Sequence, residues 1–176
     1  MRILLVDDES HVLAALVRLL RHALPKTTQV ESHTSPLTAL ARATEVPFDA
    51  VLCDYRMPEM DGVAFLKAFR DIQPQVPRLI LSGVTDFDVL MNAVNEVGLY
   101  RYLIKPWDDD EIIAAVRDSA MMHMREEEAH RLADERRAEL GHMSPEELEK
   151  HRLEAEEPGI TQVRWGPDGA IHLDED

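Results

Sequence analysis

The chain is poor in cysteine, in membrane-length apolar runs and in positive charge, and each shortage excludes a class of protein. Cys53 is the only cysteine in 176 residues, so no intrachain disulfide can form and a reducing compartment fits. Its place inside an apolar run reads as a small buried hydrophobe rather than a redox centre. No stretch reaches the roughly 20 apolar residues that a membrane span needs, and the N-terminus enters an amphipathic pattern at once, without the design of a secretory signal. A cytoplasmic protein with no membrane partner is expected. Positive charge is scarce, with 19 Lys and Arg against 34 Asp and Glu, a formal net of −15. Residues 1–120 hold 12 basic and 18 acidic residues, a net of −6, and residues 121–176 hold 7 and 16, a net of −9. Such a tail repels nucleic acid and anionic membrane, so direct nucleic-acid binding is not expected, whereas a basic protein partner is permitted. Histidines number eight, but none shows tight metal-ligand spacing. His123 and His130, seven apart, lie about two helical turns from each other, too far for one ion, and the histidines are read as surface residues.

What is present is an alternation of apolar runs with helical patterns, the rhythm of an α/β fold around a parallel sheet. The pattern predicts strands over 2–7, 28–33, 49–54, 78–82 and 100–104, with helices over 10–24, 36–45, 61–72 and 86–97. The first helix is the most periodic, with Val12, Leu13, Leu16, Val17, Leu19 and Leu20 spaced for one buried face before Pro25 closes it. Asp61 and Asp86 stand where N-cap acceptors belong, and Gly98 where a helix ends in a left-handed residue.

Three of the predicted strands end on polar groups: Asp7-Asp8 after Ile3-Leu4-Leu5-Val6, Asp54 after Ala50-Val51-Leu52-Cys53, and Lys105-Pro106 after Tyr100–Ile104. The carboxyl ends of strands in an open parallel sheet line one edge, where ligands bind. Carboxylates gathered there repel one another unless a hard divalent cation joins them, and Mg²⁺ takes such oxygens while keeping waters for a phosphate. Phosphoryl transfer onto Asp54 is the chemistry this predicts, since a carboxylate oxygen is a competent nucleophile once metal and lysine neutralise the incoming group. Taken alone, paired acids at a strand end are commonly helix caps, and Glu9 reads as first-turn helix charge.

The motifs Val6-Asp7-Asp8-Glu9, Asp54–Gly62, Leu81-Ser82-Gly83 and Tyr102–Trp107 together resemble the receiver domain of two-component response regulators, over roughly the first 120 residues. The run Arg101–Trp107 followed by acids is similar to receivers often fused to HD-GYP domains. The resemblance implies a flavodoxin-like, doubly wound five-stranded sheet in the order 2-1-3-4-5. It implies that Asp54 is the phosphoacceptor and that Mg²⁺ is held by Asp8 directly, Asp7 through water, an Asp54 oxygen and the Arg56 main-chain carbonyl. Lys105 then pairs with a phosphoryl oxygen, and the bond to Pro106 is cis. Ser82 is the hydroxyl switch and Tyr102 the aromatic one, moving between exposed and buried rotamers. A sensor histidine kinase or phosphotransfer protein is the implied donor. No enzymatic activity is implied apart from Mg²⁺-dependent self-phosphorylation and self-dephosphorylation.

Beyond this stretch no resemblance is found. The fifth helix starts near Asp108, with Asp109, Asp110 and Glu111 at the positive end of its dipole and Ile112, Ile113 and Val116 on its apolar face. Its pattern continues to Gly141 through pairs such as Glu127/Arg131 and Asp134/Arg137. A solvated helix and a homodimerising one both fit. Ser144-Pro145-Glu146-Glu147 restarts a helix with a capping box, which ends before Pro158-Gly159. Thr161, Val163 and Trp165, then Ile171 and Leu173, alternate about Pro167-Asp168-Gly169 as a β-hairpin. The expected division is thus 1–120, an acidic helical extension 121–157 and a hairpin tail 158–176. Output is expected through the 86–97 helix, the 100–104 strand, the helix from Asp108 and the tail, by protein contact or dimerisation.

Two rivals remain. A haloacid-dehalogenase-like Mg²⁺ phosphatase needs an Asp two residues after its nucleophile, where Asp7 is followed by Glu9. A receiver-fold adaptor working without phosphorylation has no need of so many repelling charges.

Overall fold

The computed structural model describes residues 1–83, 97–141, 144, 146, 149–150, 152–153, 164–165 and 171–172. Five strands form one parallel sheet: β1 (Arg2–Val6), β2 (Gln29–His33), β3 (Ala50–Asp54), β4 (Arg78–Ser82) and β5 (Arg101–Ile104), in the order β2-β1-β3-β4-β5. The helices are α1 (Ser10–Ala23), α2 (Pro36–Glu45), α3 (Gly62–Ile72) and α4 (Asp109–Gly141). The expected helix over 86–97 and the cap at Asp86 lie outside the described residues, save for helical Val97. Gly98 follows it with φ of 61°, the left-handed ending its position predicts.

Side-chain alternation divides the core between the two faces of the sheet. Ile3, Leu5, Leu52, Leu79, Leu81 and Leu103 point one way, onto Val12, Leu13, Leu16 and Leu20 of α1 and Ile112, Ala115, Val116 and Ala120 of α4. Leu4, Val6, Val51, Cys53 and Ile80 point the other way, onto Ala39 and Ala43 of α2 and Phe65, Leu66 and Phe69 of α3. β3 and β4 are buried at every position, as strands covered on both faces must be. Each fully buried leucine or phenylalanine in these layers contributes roughly 1.5–3 kcal/mol, so the sheet centre is a rigid platform for whatever its ends carry.

Local chemistry sets where the helices begin. Asp61 Oδ1 accepts from the Ala64 amide at 2.8 Å and caps α3, as expected. Glu9 stands at the N-cap of α1 and not in its first turn, because Ser10 is the first helical residue. Gln73 joins two loops below the sheet: its Oε1 accepts from the Phe48 amide at 2.9 Å, while its Nε2 donates to the carbonyls of Ala43 and Val46, each at 2.7 Å. Arg78, buried at the start of β4, donates to four carbonyls: Val97 at 2.7 Å, Pro74 and Val76 at 2.9 Å, and Gly98 at 3.3 Å.

The chain divides into two compact units, Met1–Glu128 and Ala129–Asp176. Within α4, the Asp134/Arg137 pair forms at 3.1 Å, and Arg131 forms an ion pair with Glu135, one turn ahead, at 2.5 Å. His123 corrects the reading of the histidines as surface residues. It is 6% exposed, because α4 carries it under the body of the first unit. In the second unit, residues 146, 149–150 and 152–153 are helical. The expected capping box rests on Pro145 and Glu147, which lie outside the described residues. Arg164 pairs with His172 and Trp165 with Ile171 in an antiparallel two-stranded ladder, β6 (Arg164–Trp165) and β7 (Ile171–His172). Its Pro167-Asp168-Gly169 turn lies outside the described residues. No described helix is long and apolar enough to cross a membrane.

Candidate functional site

Sheet register brings the polar strand ends together. Val6 lies opposite Cys53, so Asp7 emerges beside Asp54; Asp54 lies opposite Leu81, and Ser82 opposite Ile104, so Ser82 and Lys105 complete the same edge. Lys105 Nζ contacts Asp7 Oδ2 at 2.9 Å and Asp54 Oδ1 at 2.5 Å. Asp7, Asp54 and Ser82 are buried, and Lys105 is half-buried. The remaining carboxylate oxygens are held by backbone: Asp7 Oδ1 accepts from the Glu9 amide at 2.8 Å, and Asp54 Oδ2 from the Arg56 amide at 2.6 Å. Two carboxylates are therefore oriented at both oxygens before any ligand arrives.

The electrostatics are unbalanced. Burial pushes the Asp54 carboxyl above its ordinary range, and neighbouring Asp7 adds to the rise, against the lowering by Lys105 and by the Arg56 amide. Burial alone would lower Lys105, but its bonds to Asp54 and Asp7 hold its ammonium above the usual lysine value. One cation thus serves two buried acids, and exposed Asp8 follows directly in sequence. A second cation would relieve the surplus negative charge. The donors are hard carboxylate oxygens, and Mg²⁺ is held by one or two of these plus waters rather than by an all-protein cage. Among the described residues no three His, Cys, Asp or Glu side chains converge into such a cage. The residues present fit a magnesium ion.

The other expected site residues fall around this centre. Arg56 is exposed, one residue beyond the Asp54–Tyr55 pair, and the Lys105–Pro106 bond is cis. Lys105 is tied to the end of β4 through its amide, which donates to the Ser82 carbonyl at 2.8 Å. Tyr102 is half-buried on β5 against the α3-side core.

Two contacts at the site were not foreseen. The Gly62 amide donates to Tyr55 O at 2.8 Å, and a Cβ added at Gly62 would overlap the Asp54 carbonyl oxygen, so only glycine lets α3 approach the Asp54 backbone this closely. The Cys53 thiol sits 2.9 Å from the same oxygen, fully buried, and burial pushes its pKa well up, which leaves it an unreactive thiol. The Asp61-Gly62 step opening an amphipathic run was the available signal for the first. For the second, sequence offered none.

Comparison with known proteins agrees with this geometry. The model of the response regulator receiver domain matches residues 3–117. The hydrogenase transcriptional regulatory protein HoxA of Cupriavidus necator is 37% identical over 130 residues, 74% of this chain and 26% of that protein. HoxA of Bradyrhizobium diazoefficiens is 32% identical over 173 residues, 98% of this chain and 33% of that protein, so the likeness runs on into the extension, where no resemblance was expected. The chain thus spans about a quarter to a third of the length of these relatives. A crystal structure described as the signal receiver domain of an HD domain-containing protein from Pseudomonas fluorescens Pf-5 superposes with a TM-score of 0.65 at 32% identity, covering 70% of this chain and 97% of that one. With a family match over residues 3–117, an order β2-β1-β3-β4-β5 and Asp7, Asp54 and Lys105 in contact at one sheet edge, this chain belongs to the response regulator receiver domain family of two-component systems.

Proposed function

We propose that Asp54 accepts a phosphoryl group from a sensor histidine kinase or a phosphotransfer protein, with Mg²⁺ bound by Asp7, Asp8, Asp54 and the Arg56 carbonyl. The observation that carries the reading is the Lys105 ammonium lying between the Asp7 and Asp54 carboxylates. The Asp54 carboxylate oxygen attacks phosphorus in line as the phosphorus–nitrogen bond of a phosphohistidine breaks, and the leaving imidazole keeps the electron pair. Magnesium, when bound, neutralises charge on the phosphoryl oxygens. Lys105 exchanges its Asp54 contact for a phosphoryl oxygen, and the Ser82 hydroxyl donates to another. The Arg56 amide keeps Asp54 oriented throughout.

Phosphorylation then shifts a two-state equilibrium by the difference in how its added oxygens contact each state. Ser82 and Tyr102 form the switch, the expected 86–97 helix, β5 and α4 form the responding face, and the tail receives the change, with protein contact or homodimerisation as output. No direct nucleic-acid or membrane partner is included, and a cytoplasmic location follows from the kinase as donor. The division into 1–120, 121–157 and 158–176 is part of the same reading. Acetyl phosphate with Mg²⁺ tests it: mass spectrometry should find one added phosphoryl group on the parent chain and none on Asp54→Ala. Equal labelling of the two would overturn it.

A further inference from the structure

Up to His123, α4 is covered by its own chain on one side only. Ile112, Val116, Ser119, Ala120 and His123 are buried, and at about 100° per residue they fall on one side of the helix. The other side carries Asp118, Met121, Met122 and Arg125, all exposed. Met121 and Met122 are 41% and 37% exposed, with Met124 beside them at 44%. Single apolar side chains scattered over a surface need no explanation, but three methionines within four residues form one patch. Methionine is a soft, adaptable contact residue and is enriched at protein interfaces.

The charges around these methionines are balanced. Arg117 and Arg125 stand against Asp118 and Glu126, a net of zero over residues 117–126 in a chain whose formal net is −15. Such a chain repels its own copies, and on this stripe that repulsion is locally absent. A basic partner finds no surplus acid here. The order of the charges selects an orientation. Two helices related by a twofold axis along their length meet residue for residue, so Asp118 would face Asp118 and Arg125 would face Arg125. A twofold axis across the helices instead pairs positions equidistant from its centre. Centred between Met121 and Met122, it sets Met121 against Met122, Asp118 against Arg125 and Arg117 against Glu126, each contact made twice. Within one chain Arg117 holds Asp118 at 2.9 Å, an exposed pair that is worth little and can be exchanged.

We propose that this face of α4 docks a second copy of the chain, the two helices antiparallel about the Met121–Met122 step, in the unphosphorylated protein. The pairing goes beyond the reading of Asp54 and does not rest on it. An interface of one helix pair is small, so the dimer is weak. Sedimentation equilibrium of the full chain, without magnesium or a phosphoryl donor and at about 10–500 μM, tests it. The parent should approach twice the chain mass as its concentration rises. Asp118→Arg and Arg125→Asp, both at exposed positions, should each weaken association about tenfold, because each puts two like-charged contacts in place of two opposite ones. The double variant Asp118→Arg/Arg125→Asp should restore it, since its charges are exchanged and not lost. Met121→Ser/Met122→Ser should weaken it as well. A chain that stays monomeric throughout, as when its own tail covers the methionines, would overturn the proposal. So would single reversals without effect, the result expected of parallel helices, or a double variant no better than the singles. Acetyl-phosphate labelling of Asp54 is read separately and stands or falls on its own.

Discussion

The ammonium of Lys105 lies 2.5 Å from one oxygen of Asp54, while the Arg56 amide holds the other at 2.6 Å. Asp54 is thus oriented at both ends yet kept above its ordinary carboxylate range by burial and by Asp7. Below the usual aspartate range the group is protonated in both folded and unfolded chains and carries no penalty. As the pH rises through the raised folded-state value, the folded form acquires a poorly solvated charge and loses stability relative to the unfolded one. Asp54→Asn removes that charge, so the variant should be more stable than the parent at neutral pH by on the order of 1 kcal/mol, a few degrees in Tm. The gain should vanish as the pH falls through the Asp54 transition. Urea unfolding of both chains between pH 3 and pH 8 checks this, and a gain that grows in acid would contradict it.

Lys105→Met keeps most of the apolar stem and removes the charge, leaving two buried carboxylates face to face. The expected cost at neutral pH is about 3 kcal/mol, shrinking in acid as one of the pair takes a proton. In the parent, the lysine's contribution is present below the unfolded lysine pKa and is lost as pH rises through its raised folded value. Chemical denaturation from about pH 3 to about pH 12 covers both trends, the acid one and the alkaline one.

Gly62→Ala sets two effects against each other. Alanine at the first turn of a helix, where φ is not positive, would stabilise by about 0.4–1 kcal/mol through the unfolded chain. The new Cβ, however, overlaps the Asp54 carbonyl oxygen, a backbone atom that cannot rotate aside. Overpacking of this kind costs roughly 1–3 kcal/mol, so the net effect should be destabilising, with slower acetyl-phosphate labelling because the nucleophile's own backbone is displaced. A variant as stable and as readily labelled as the parent would refute it.

Magnesium should stabilise the parent chain by mass action, raising Tm as its concentration rises, and should do so less for Asp54→Asn and least for Asp7→Asn/Asp8→Asn. Thermal scans with and without the ion are sufficient. An equal rise in all three would place the ion elsewhere.

Arg78→Met strips donors from four carbonyls at once, and two of the four bonds, those to Val97 and Val76, are buried. A loss of about 2–4 kcal/mol is expected. Hydrogen exchange should quicken first at the amides of Val76 and Tyr100, the latter bonded to the Arg78 carbonyl at 2.8 Å.

Much of this was legible in one dimension because it is local. The α1 stripe, the Asp61 cap and the left-handed Gly98 each depend on neighbours within a turn or two, and the structure has all three as read. Three strand ends bearing Asp7, Asp54 and Lys105 were legible for a further reason, since a parallel sheet aligns its carboxyl ends whatever the intervening loops do. Partner choice within α4 was less so. Arg131 has acidic neighbours within reach on both sides, so spacing by itself does not single out the ion pair it forms with Glu135.

By itself, then, the sequence determined the alternation of strands and helices, the acidic balance of −15 and the identity of the residues that end each strand, since periodicity, charge and order along the chain are local properties. Tertiary structure decided that one lysine serves two acids, that Gly62 is needed against the Asp54 backbone, that Arg78 donates to four carbonyls and that His123 is buried. Each of those depends on groups far apart in the chain meeting at distances of a few ångströms, which are set by how the helices pack on the sheet.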